Sequence, residues 1–518
     1  MDTLFTFFQG DSPALQYIGS WSASLWDNRD MYQMQLHLLL ASVFPIYIGA
    51  HAALRRPPSA LAPKKQPSTD NEDDELDLEP AIEGLRPSDA IMFPVLASIT
   101  LGGLYLLIKW LKDPSLLNKI MTWYFSTLGV FGVGKLAGDS LHVISTIIFP
   151  SVWSDGKQLY HVKPDFQIQV TGESSRSQPL RTITDKKNPL PSFFSSIPFA
   201  ESLNTILWST RALLKNHWIF RGYLHGLLNT KLRVTFHDVA GLTLGLAAII
   251  AYNTSGKAWW LTNLMGFGFC YGAFQIMSPT TFWTGSLVLM GLFIYDIVMV
   301  FYTPMMVTVA TTLDVPIKLV FPGPKRGGML GLGDVVLPGI MMALALRFDL
   351  YLHYARKHLK QGETARYVEA TGLWGERFWT SGSKEKNVAD AARFPKTYFK
   401  ASVVGYVIGM LTTLVVLNYF NHAQPALLYL VPGVLISLWG TAWVRGEIQL
   451  MWGYTEDGSL NDDRKEGKEE LTKEEVEQRA DEREKRRSKE HAHHVFLFSL
   501  SDPKHDLPKA KLDGEKEE

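Results

Sequence analysis

Two apolar stretches, each with one aspartate inside it, decide how this sequence folds. The first is GLFIYDIVMVF, residues 291–301, in which Asp296 has apolar or aromatic neighbours on both sides. The second is GLGDVVLPGIMM, residues 331–342, in which Asp334 opens an apolar run. An aspartate at membrane depth costs roughly 2.5–3.5 kcal/mol on insertion scales, so such a residue is expected to be functional. The two stretches therefore predict membrane helices that carry a pair of aspartates.

Seven further apolar runs of spanning length surround these two. A bilayer core about 30 Å thick needs roughly 20 apolar residues per helix. The sequence thus predicts an all-α polytopic membrane protein of about nine transmembrane helices, with minor extended segments in its loops. The mean hydropathy of +0.01 averages these spans with strongly charged segments. The predicted spans are at about 32–54, 89–110, 120–150, 237–253, 258–278, 283–303, 329–348, 400–421 and 426–445.

The charges and the cysteine count exclude several kinds of site. The 51 Lys and Arg residues balance 51 Asp and Glu residues, and a chain without a basic excess is not expected to bind nucleic acid. Cys270 is the single cysteine, which excludes an intramolecular disulfide and a cysteine-rich zinc site. The histidines at 491, 493 and 494 lack suitably spaced carboxylate or thiol partners, so no metal site and no cofactor is predicted.

Basic residues predict the orientation, because segments rich in Lys and Arg stay in the cytosol. Arg55 and Arg56 follow the first span and a basic linker follows the seventh, whereas Lys112 and Lys119 oppose the scheme. With nine spans, the N-terminus is then lumenal and the C-terminus cytosolic. The predicted regions are a lumenal segment 1–31, three spans in 32–150, a cytosolic loop 151–236, spans four to seven in 237–348, the linker 349–399, the last two spans in 400–445 and a charged cytosolic tail 446–518.

Several polar segments allow specific interpretations. The acidic stretch 55–88 is typical of a disordered linker, and the mixed-charge tail of a solvated helix or a disordered segment. A Trp- and Arg-rich segment at 208–220 indicates an amphipathic helix at the membrane interface, with a packed helix of a cytosolic subdomain as an equal alternative. Asp139 and His142 are either a buried pair or part of a segment that leaves the bilayer, and the second interpretation is favoured. Asn253 lies too near two spans to be a favoured glycosylation site.

Two facing aspartates can hydrolyse a peptide bond by general acid–base chemistry. Carboxyl groups held close together in a poorly solvated site cannot both ionise readily, so the pair shares a proton. The ionised member can then take a proton from water while the neutral member protonates the carbonyl of a scissile peptide bond. Gly331 and Gly333 allow close backbone approach, and Pro338 and Gly339 are expected to interrupt the helix. Irregular backbone at membrane depth lies beside a water-filled cavity or inside protein.

A third motif, Pro425-Ala426-Leu427, opens the last predicted span, where proline alone indicates only a helix start. Tyr295-Asp296, Gly331-Leu332-Gly333-Asp334 and this motif, in that order, resemble the motifs of the intramembrane aspartyl proteases. The sequence is closer to the signal peptide peptidases than to the presenilins. The strong resemblance covers about 240–445. Within this range, the short sequences at 293–296, 306–310, 316–322 and 346–349 are similar to those of the family.

The resemblance implies a presenilin-like arrangement and cleavage of type II transmembrane helices, chiefly remnant signal peptides, in the endoplasmic reticulum membrane. Asp296 and Asp334 would be the catalytic pair. The expected partners are the lipid bilayer, further copies of the chain and the membrane-protein degradation machinery. The residues implied to shape the active site and bind substrate are Tyr295, Gly331, Leu332, Gly333, Pro425, Ala426 and Leu427.

A helical substrate hides its carbonyl groups in hydrogen bonds, so it must unwind before cleavage. The backbone of residues 316–321 or 425–430 is expected to pair with the unwound segment as an added strand.

Two other functions compete with proteolysis. In a proton-coupled transporter the two aspartates would relay protons, but the spans show no evident repeat. In a non-catalytic scaffold for membrane-protein degradation, the tail would be a docking surface.

Overall fold

The computed structural model contains a helical membrane region and several small sheets. The predicted segment 1–31 lies almost entirely outside the described residues, as do 62–82 of the acidic linker and most of the tail with its three histidines. The structure describes residues 29–61, 83–85, 87–111, 113–155, 158–164, 167–171, 187–224, 228–313, 315–323, 327–361, 367, 371–372, 374–381, 394–420, 424–456 and 496–501.

Thirteen α-helices and ten strands occur in these residues. The helices are α1 (Arg29–Ala52), α2 (Asp89–Leu111), α3 (Ser115–Ile148), α4 (Glu201–Lys215), α5 (Phe236–Thr254), α6 (Trp259–Ile276), α7 (Phe282–Ile297), α8 (Met305–Thr312), α9 (Gly333–Gln361), α10 (Trp374–Trp379), α11 (Thr397–Phe420), α12 (Leu427–Arg445) and α13 (Ile448–Trp452). The strands are β1 (Glu83–Leu85), β2 (Val152–Ser154), β3 (Leu159–Lys163), β4 (Ile168–Thr171), β5 (His217–Leu224), β6 (Leu228–Thr235), β7 (Met277–Pro279), β8 (Lys318–Phe321), β9 (Gly328–Gly331) and β10 (Phe496–Ser501).

The prediction of a polytopic all-α membrane protein is confirmed. Seven helices of the described part are long and apolar enough to cross a membrane: α1, α2, α5, α7 with its continuation to Tyr302, α9, α11 and α12. The other two predicted spans are also helical. They form α3, which carries Lys135, Asp139 and His142 in its second half, and α6, which has only 18 residues.

Helix α9 is the centre of the bundle. It contacts α1, α6, α7, α11 and α12, and residues 338–350 are all buried. A helix that is apolar and buried on every side is typical of the core of a large assembly of helices. Helices α7 and α12 contact each other and both pack against α9.

The expected helix interruption at Pro338 and Gly339 is wrong, because α9 runs unbroken from Gly333 to Gln361. Pro338 is the sixth residue of α9, so its missing N–H removes one hydrogen bond near the helix start and the remaining turns continue. Gly339 permits close packing: a Cβ there would lie 2.5 Å from the Phe274 ring. Gly339 therefore allows close packing of α9 against α6 and does not break α9.

Glycines also let α3, α5 and α6 approach backbone to backbone. A Cβ at Gly241 of α5 would lie 2.4 Å from the carbonyl oxygen of Gly134 of α3. A Cβ at Gly268 of α6 would lie 2.7 Å from the backbone of Gly132. Small residues at such contacts are the usual way in which membrane helices pack closely.

Asp139 of α3 is paired, but not with His142. Its carboxylate accepts hydrogen bonds from Lys135, at 2.9 Å, and from the Tyr271 hydroxyl group of α6, at 2.6 Å. The His142 ring instead faces His237 of α5, with ring centroids 5.3 Å apart. Asp139 therefore joins α3 to α6.

The ends of the predicted acidic linker have defined partners. Strand β1 pairs in parallel with β7, between α6 and α7, and the Leu61 carbonyl accepts the Tyr367 N–H at 2.8 Å. Strand β10 belongs to the predicted tail and pairs antiparallel with β5 of the β5–β6 hairpin. These segments differ from the disordered or helical structure expected for them, because distant parts of the chain supply strand partners that composition does not reveal.

Loop 151–236 contains a small folded unit. Strands β2, β3 and β4 form an antiparallel sheet, and the Trp153 ring stacks on Tyr160 with centroids 4.3 Å apart. The predicted amphipathic helix at 208–220 is present with different limits, since α4 begins at Glu201 and ends at Lys215. Residues from His217 onward form β5 instead.

Buried charges join the helices at the end of the bundle remote from Gly333. Arg347 of α9 lies 2.8 Å from Glu456, and its guanidinium group donates to Ser278 at 2.8 Å. Arg55, which follows α1, contacts the same glutamate at 2.7 Å. Burial and the nearby Arg347 lower the pKa of the Arg55 guanidinium group. One carboxylate thus connects α1 and α9 to the segment after α13.

Asp349 caps α11 from the neighbouring helix α9. Its carboxylate accepts the backbone N–H groups of Thr397, Tyr398 and Phe399 at 3.1, 3.1 and 2.9 Å. These are N–H groups at the start of α11, which have no partner within that helix. Asp349 therefore fixes the start of α11 against the central helix.

Replacing Asp349 with alanine is expected to lower the free energy of unfolding by about 2–3 kcal/mol, because buried N–H groups lose a charged acceptor. Thermal unfolding in detergent measures the effect. Asp30→Ala is the matched control, since Asp30 is exposed and pairs only with its neighbour Arg29 among the described residues. Equal stability of the two variants would contradict the role given to Asp349.

Candidate active site

Asp296 is the penultimate residue of α7 and is only 2% exposed. One carboxylate oxygen, Oδ2, accepts the backbone N–H of Leu427 at 3.0 Å. Leu427 is the first residue of α12, so this N–H has no partner within its own helix. Asp296 therefore satisfies a backbone group that would otherwise be buried without a partner.

The chain after Asp296 changes its helical geometry. Residues Val298–Tyr302 form a π-helix, and the Val298 N–H is shared between the carbonyl groups of Ile294 and Tyr295. Wide turns of this kind are frequently found at functional sites. Here the change begins two residues after Asp296, and Tyr295 packs against the main core of the bundle.

Asp334 is the second residue of α9 and is half-buried. The first turn of a helix favours an anion, because the N–H groups there point toward it. Gly331 lies beside the carboxylate: a Cβ at Gly331 would be 3.3 Å from Oδ2 of Asp334. A larger residue would crowd the side chain, so this glycine leaves room at the carboxylate.

The backbone carbonyl of Asp334 has an unusual partner. In a regular helix it would accept the N–H of the residue four positions later, but that residue is Pro338, which has none. The hydroxyl group of Tyr406 on α11 donates to this carbonyl at 3.4 Å. Tyr406 is fully buried. A side chain from a neighbouring helix thus replaces the hydrogen bond that proline removes next to Asp334.

The structure brings the three predicted motifs together. Helices α7, α9 and α12 contact one another, and the carboxyl groups of Asp296 and Asp334 are near enough to interact electrostatically. Residues 425–427 are buried, and the Leu430 N–H donates to the Ala426 carbonyl at 3.1 Å. The Pro-Ala-Leu segment therefore leads into the first turn of α12, with Ala426 as the N-cap, and it contacts the site through Leu427.

A β-hairpin leads directly into Asp334. Strands β8 and β9 pair antiparallel, with Lys318 opposite Gly331 and Phe321 opposite Gly328. The hairpin ends where the Leu332 N–H donates to the Ile317 carbonyl at 3.1 Å. The Leu332 carbonyl then accepts the Val336 N–H at 2.8 Å, in the first turn of α9. Leu332 therefore connects the strand to the helix.

The outer side of β8 is occupied by Asn263 of α6. Its amide group donates to the Val320 carbonyl at 2.9 Å and accepts the Val320 N–H at 2.7 Å. Because one asparagine binds both backbone groups, β8 cannot accept another strand at Val320. Of the described strands only β8 pairs with β9, and Met329 of β9 is 53% exposed.

Sequence reasoning missed Tyr406 and Asn263. A tyrosine in an apolar helix carries no pattern that marks a partner 72 residues away. An asparagine inside a predicted span does carry a signal, since polar groups at membrane depth need a partner.

Within the described residues, no group of three or more His, Cys, Asp or Glu side chains is placed to hold a metal ion.

The sequence matches the model of the signal peptide peptidase family over residues 77–458. The chain belongs to this family. It is 27% identical to mouse signal peptide peptidase over 458 residues, which are 86% of this chain and 90% of that protein. It is 28% identical to the human protein over 428 residues, covering 81% and 82% of the two chains. A probable intramembrane protease of Schizosaccharomyces pombe is 35% identical over 238 residues, 45% of this chain and 70% of that protein.

Family membership makes the chain a multi-pass intramembrane protease. The matched region contains α2 to α13 and therefore every residue of the site described above. The suspected family is thus confirmed.

Tyr406→Phe is expected to lower kcat for cleavage of a membrane-embedded peptide by about 2- to 10-fold, the effect of one neutral hydrogen bond. The reason is that the Asp334 carbonyl loses its donor and the first turn of α9 is held less firmly. Cleavage in defined lipid vesicles measures the change.

Tyr398→Phe is the matched control on the same helix. The Tyr398 hydroxyl group donates to Glu447 at 2.7 Å, so this variant also loses one buried hydrogen bond, but away from Asp334. Its kcat is expected to stay unchanged. If both variants lowered kcat equally, the effect would be one of general stability and Tyr406 would have no positioning role.

Proposed function

We propose that the chain is an aspartic-type intramembrane endopeptidase in which Asp296 and Asp334 activate a water molecule between them. The observation that carries the proposal is the meeting of two aspartates from α7 and α9 at the first turn of α12. The ionised carboxylate of one aspartate takes a proton from the water as the water attacks the peptide carbonyl, and the neutral carboxyl group of the other aspartate protonates the carbonyl oxygen. Because the Leu427 N–H occupies Oδ2 of Asp296, we assign its Oδ1 atom to the water.

The proposed substrates are type II transmembrane helices, chiefly signal peptides that remain in the membrane. Two relatives that match over most of their length are named signal peptide peptidases. The proposed location is the endoplasmic reticulum membrane, with a lumenal N-terminus and a cytosolic C-terminus. Arg55, Arg56 and the basic linker 349–399 support this orientation.

The unwound substrate is proposed to pair with β9. Of the two segments considered for this role, residues 316–321 include β8, whose edges are occupied by β9 and Asn263. Residues 425–430 lie at the start of α12 and are not extended. The outer edge of β9 ends at Gly331, three residues before Asp334. A strand added there would present its peptide bonds next to the aspartates.

Asp296→Asn and Asp334→Asn are each expected to lower cleavage of a labelled signal peptide in lipid vesicles by about 10²–10⁴-fold, because each removes one partner of the acid–base pair. Asp139→Asn is the matched control, because this aspartate of a membrane helix bonds to Lys135 and Tyr271 and belongs to neither of the two catalytic motifs. Unchanged cleavage in both test variants would overturn the proposal. Proton flux lost with cleavage intact would favour the transporter.

Met329→Pro is expected to raise KM for the same peptide, because proline removes an N–H group from the open edge of β9. Proline is tolerated on an edge strand when its missing N–H faces away from the paired strand. In the β8–β9 register, Val320 faces Asn263, so its partner Met329 also directs its backbone groups outward.

The control is Met329→Ala, which removes the same side chain and keeps the N–H group. A KM raised equally by both variants would show that the side chain, and not the backbone, contacts the substrate. An unchanged KM in the proline variant would remove β9 as the pairing strand.

A further inference from the structure

Helix α4 exposes apolar side chains on one face and turns its charges away from that face. Leu203, Ile206 and Leu213 are 43%, 58% and 44% exposed. At 3.6 residues per turn they lie within about 80° of one another around the helix axis. The charged residues of α4, Glu201, Arg211 and Lys215, fall on the opposite half. A helix on a water-exposed surface has the reverse arrangement.

The opposite face of α4 packs on protein. Trp208 and Arg211 are buried, and Trp208 shares a small core with Trp153 of β2. The indole N–H of Trp208 donates to the Lys187 carbonyl at 2.9 Å. Lys215 lies 3.9 Å from Glu376 of α10. The helix is therefore fixed in rotation, and the apolar face cannot turn inward.

The position of α4 relative to the bilayer follows from its C-terminal end. Lys215 donates to the Ser151 hydroxyl group at 2.5 Å, three residues after the last residue of α3. Ile147 and Ile148 at the end of α3 are still 37% and 47% exposed, as lipid-facing residues are. Helix α4 also contacts α5, whose first residue, Phe236, is 41% exposed. The end of α4 thus lies at the membrane boundary.

The segment before α4 adds exposed aromatic groups. Phe193 and Phe194 are 76% and 54% exposed, in a short 3-10 helix. The side chain of Asn188 holds this turn through the carbonyl groups of Phe194, Ser195 and Ile197. Exposed aromatic residues beside an amphipathic helix are typical of segments that lie in the membrane interface.

We propose that α4 lies on the surface of the bilayer with Leu203, Ile206 and Leu213 in the lipid, and that it anchors loop 151–236 to the membrane. The lipid bilayer is the occupant favoured here, because Lys215 places the C-terminal end of α4 at the membrane boundary near Ser151. The face carries no charge that a charged protein partner would recognise. The proposal is independent of the roles of Asp296 and Asp334.

Site-directed spin labelling of the full chain in lipid nanodiscs tests the proposal. The chain has one cysteine, Cys270, and it is buried, so introduced cysteines can be labelled selectively. Nitroxides are placed at Ile206 and Leu213, and at the control positions Thr205 and Ala212, which are exposed neighbours on the same helix. The measurement is the rate of collision with oxygen, which concentrates in lipid, and with a water-soluble nickel chelate.

At Ile206 and Leu213 we expect faster collision with oxygen and slower collision with nickel than at Thr205 and Ala212. Equal nickel accessibility at all four positions would place the apolar face in water and overturn the proposal. Protection of Ile206 and Leu213 from both reagents would also overturn it, because a protein partner or a second copy of the chain would then cover the face.

Discussion

Inside a bilayer no water is available to backbone groups, so every N–H and C=O must find a partner within the protein. The candidate active site contains three places where regular hydrogen bonding fails. The first turn of α12 leaves the Leu427 N–H open, Pro338 leaves the Asp334 carbonyl open, and β8 has an open edge at Val320. A side chain from another helix closes each of them: Asp296, Tyr406 and Asn263. Irregular backbone is thereby kept at membrane depth next to the aspartates.

The same constraint explains why the far end of the bundle is rich in buried charge. Asp349 supplies the acceptor that the start of α11 lacks, and Arg347 joins two chain segments through Glu456 and Ser278. Both residues are on α9, within a turn of each other. The central helix therefore carries an aspartate of the candidate site in its first turn and these polar connections near its middle.

Much of the membrane region could be predicted because each long helix is indicated by the residues of its own segment. Apolar runs and isolated aspartates are visible in the sequence, and the long helices follow from them. Features that depend on distant partners were not predictable. The continuity of α9 through Pro338 depends on its place in the first turns of the helix and on Tyr406, and the limits of α4 depend on where β5 begins. The helix break predicted at Gly339 is wrong because a glycine in the sequence indicates a break and a close contact equally well. Here the glycine permits close contact with Phe274.

Strand β10 has a consequence for the order of folding. It completes the sheet of β5 and β6 from 272 residues beyond Leu224, as its pairing of Phe496 with Leu224 shows. A chain emerging from the ribosome makes the hairpin before the last six membrane helices, α5, α6, α7, α9, α11 and α12, and long before its third strand exists. Contacts at such sequence separation form late, because the intervening chain must first be ordered. The sheet therefore closes only after residues 496–501 have been synthesised, and until then the edge of β5 lacks this strand partner.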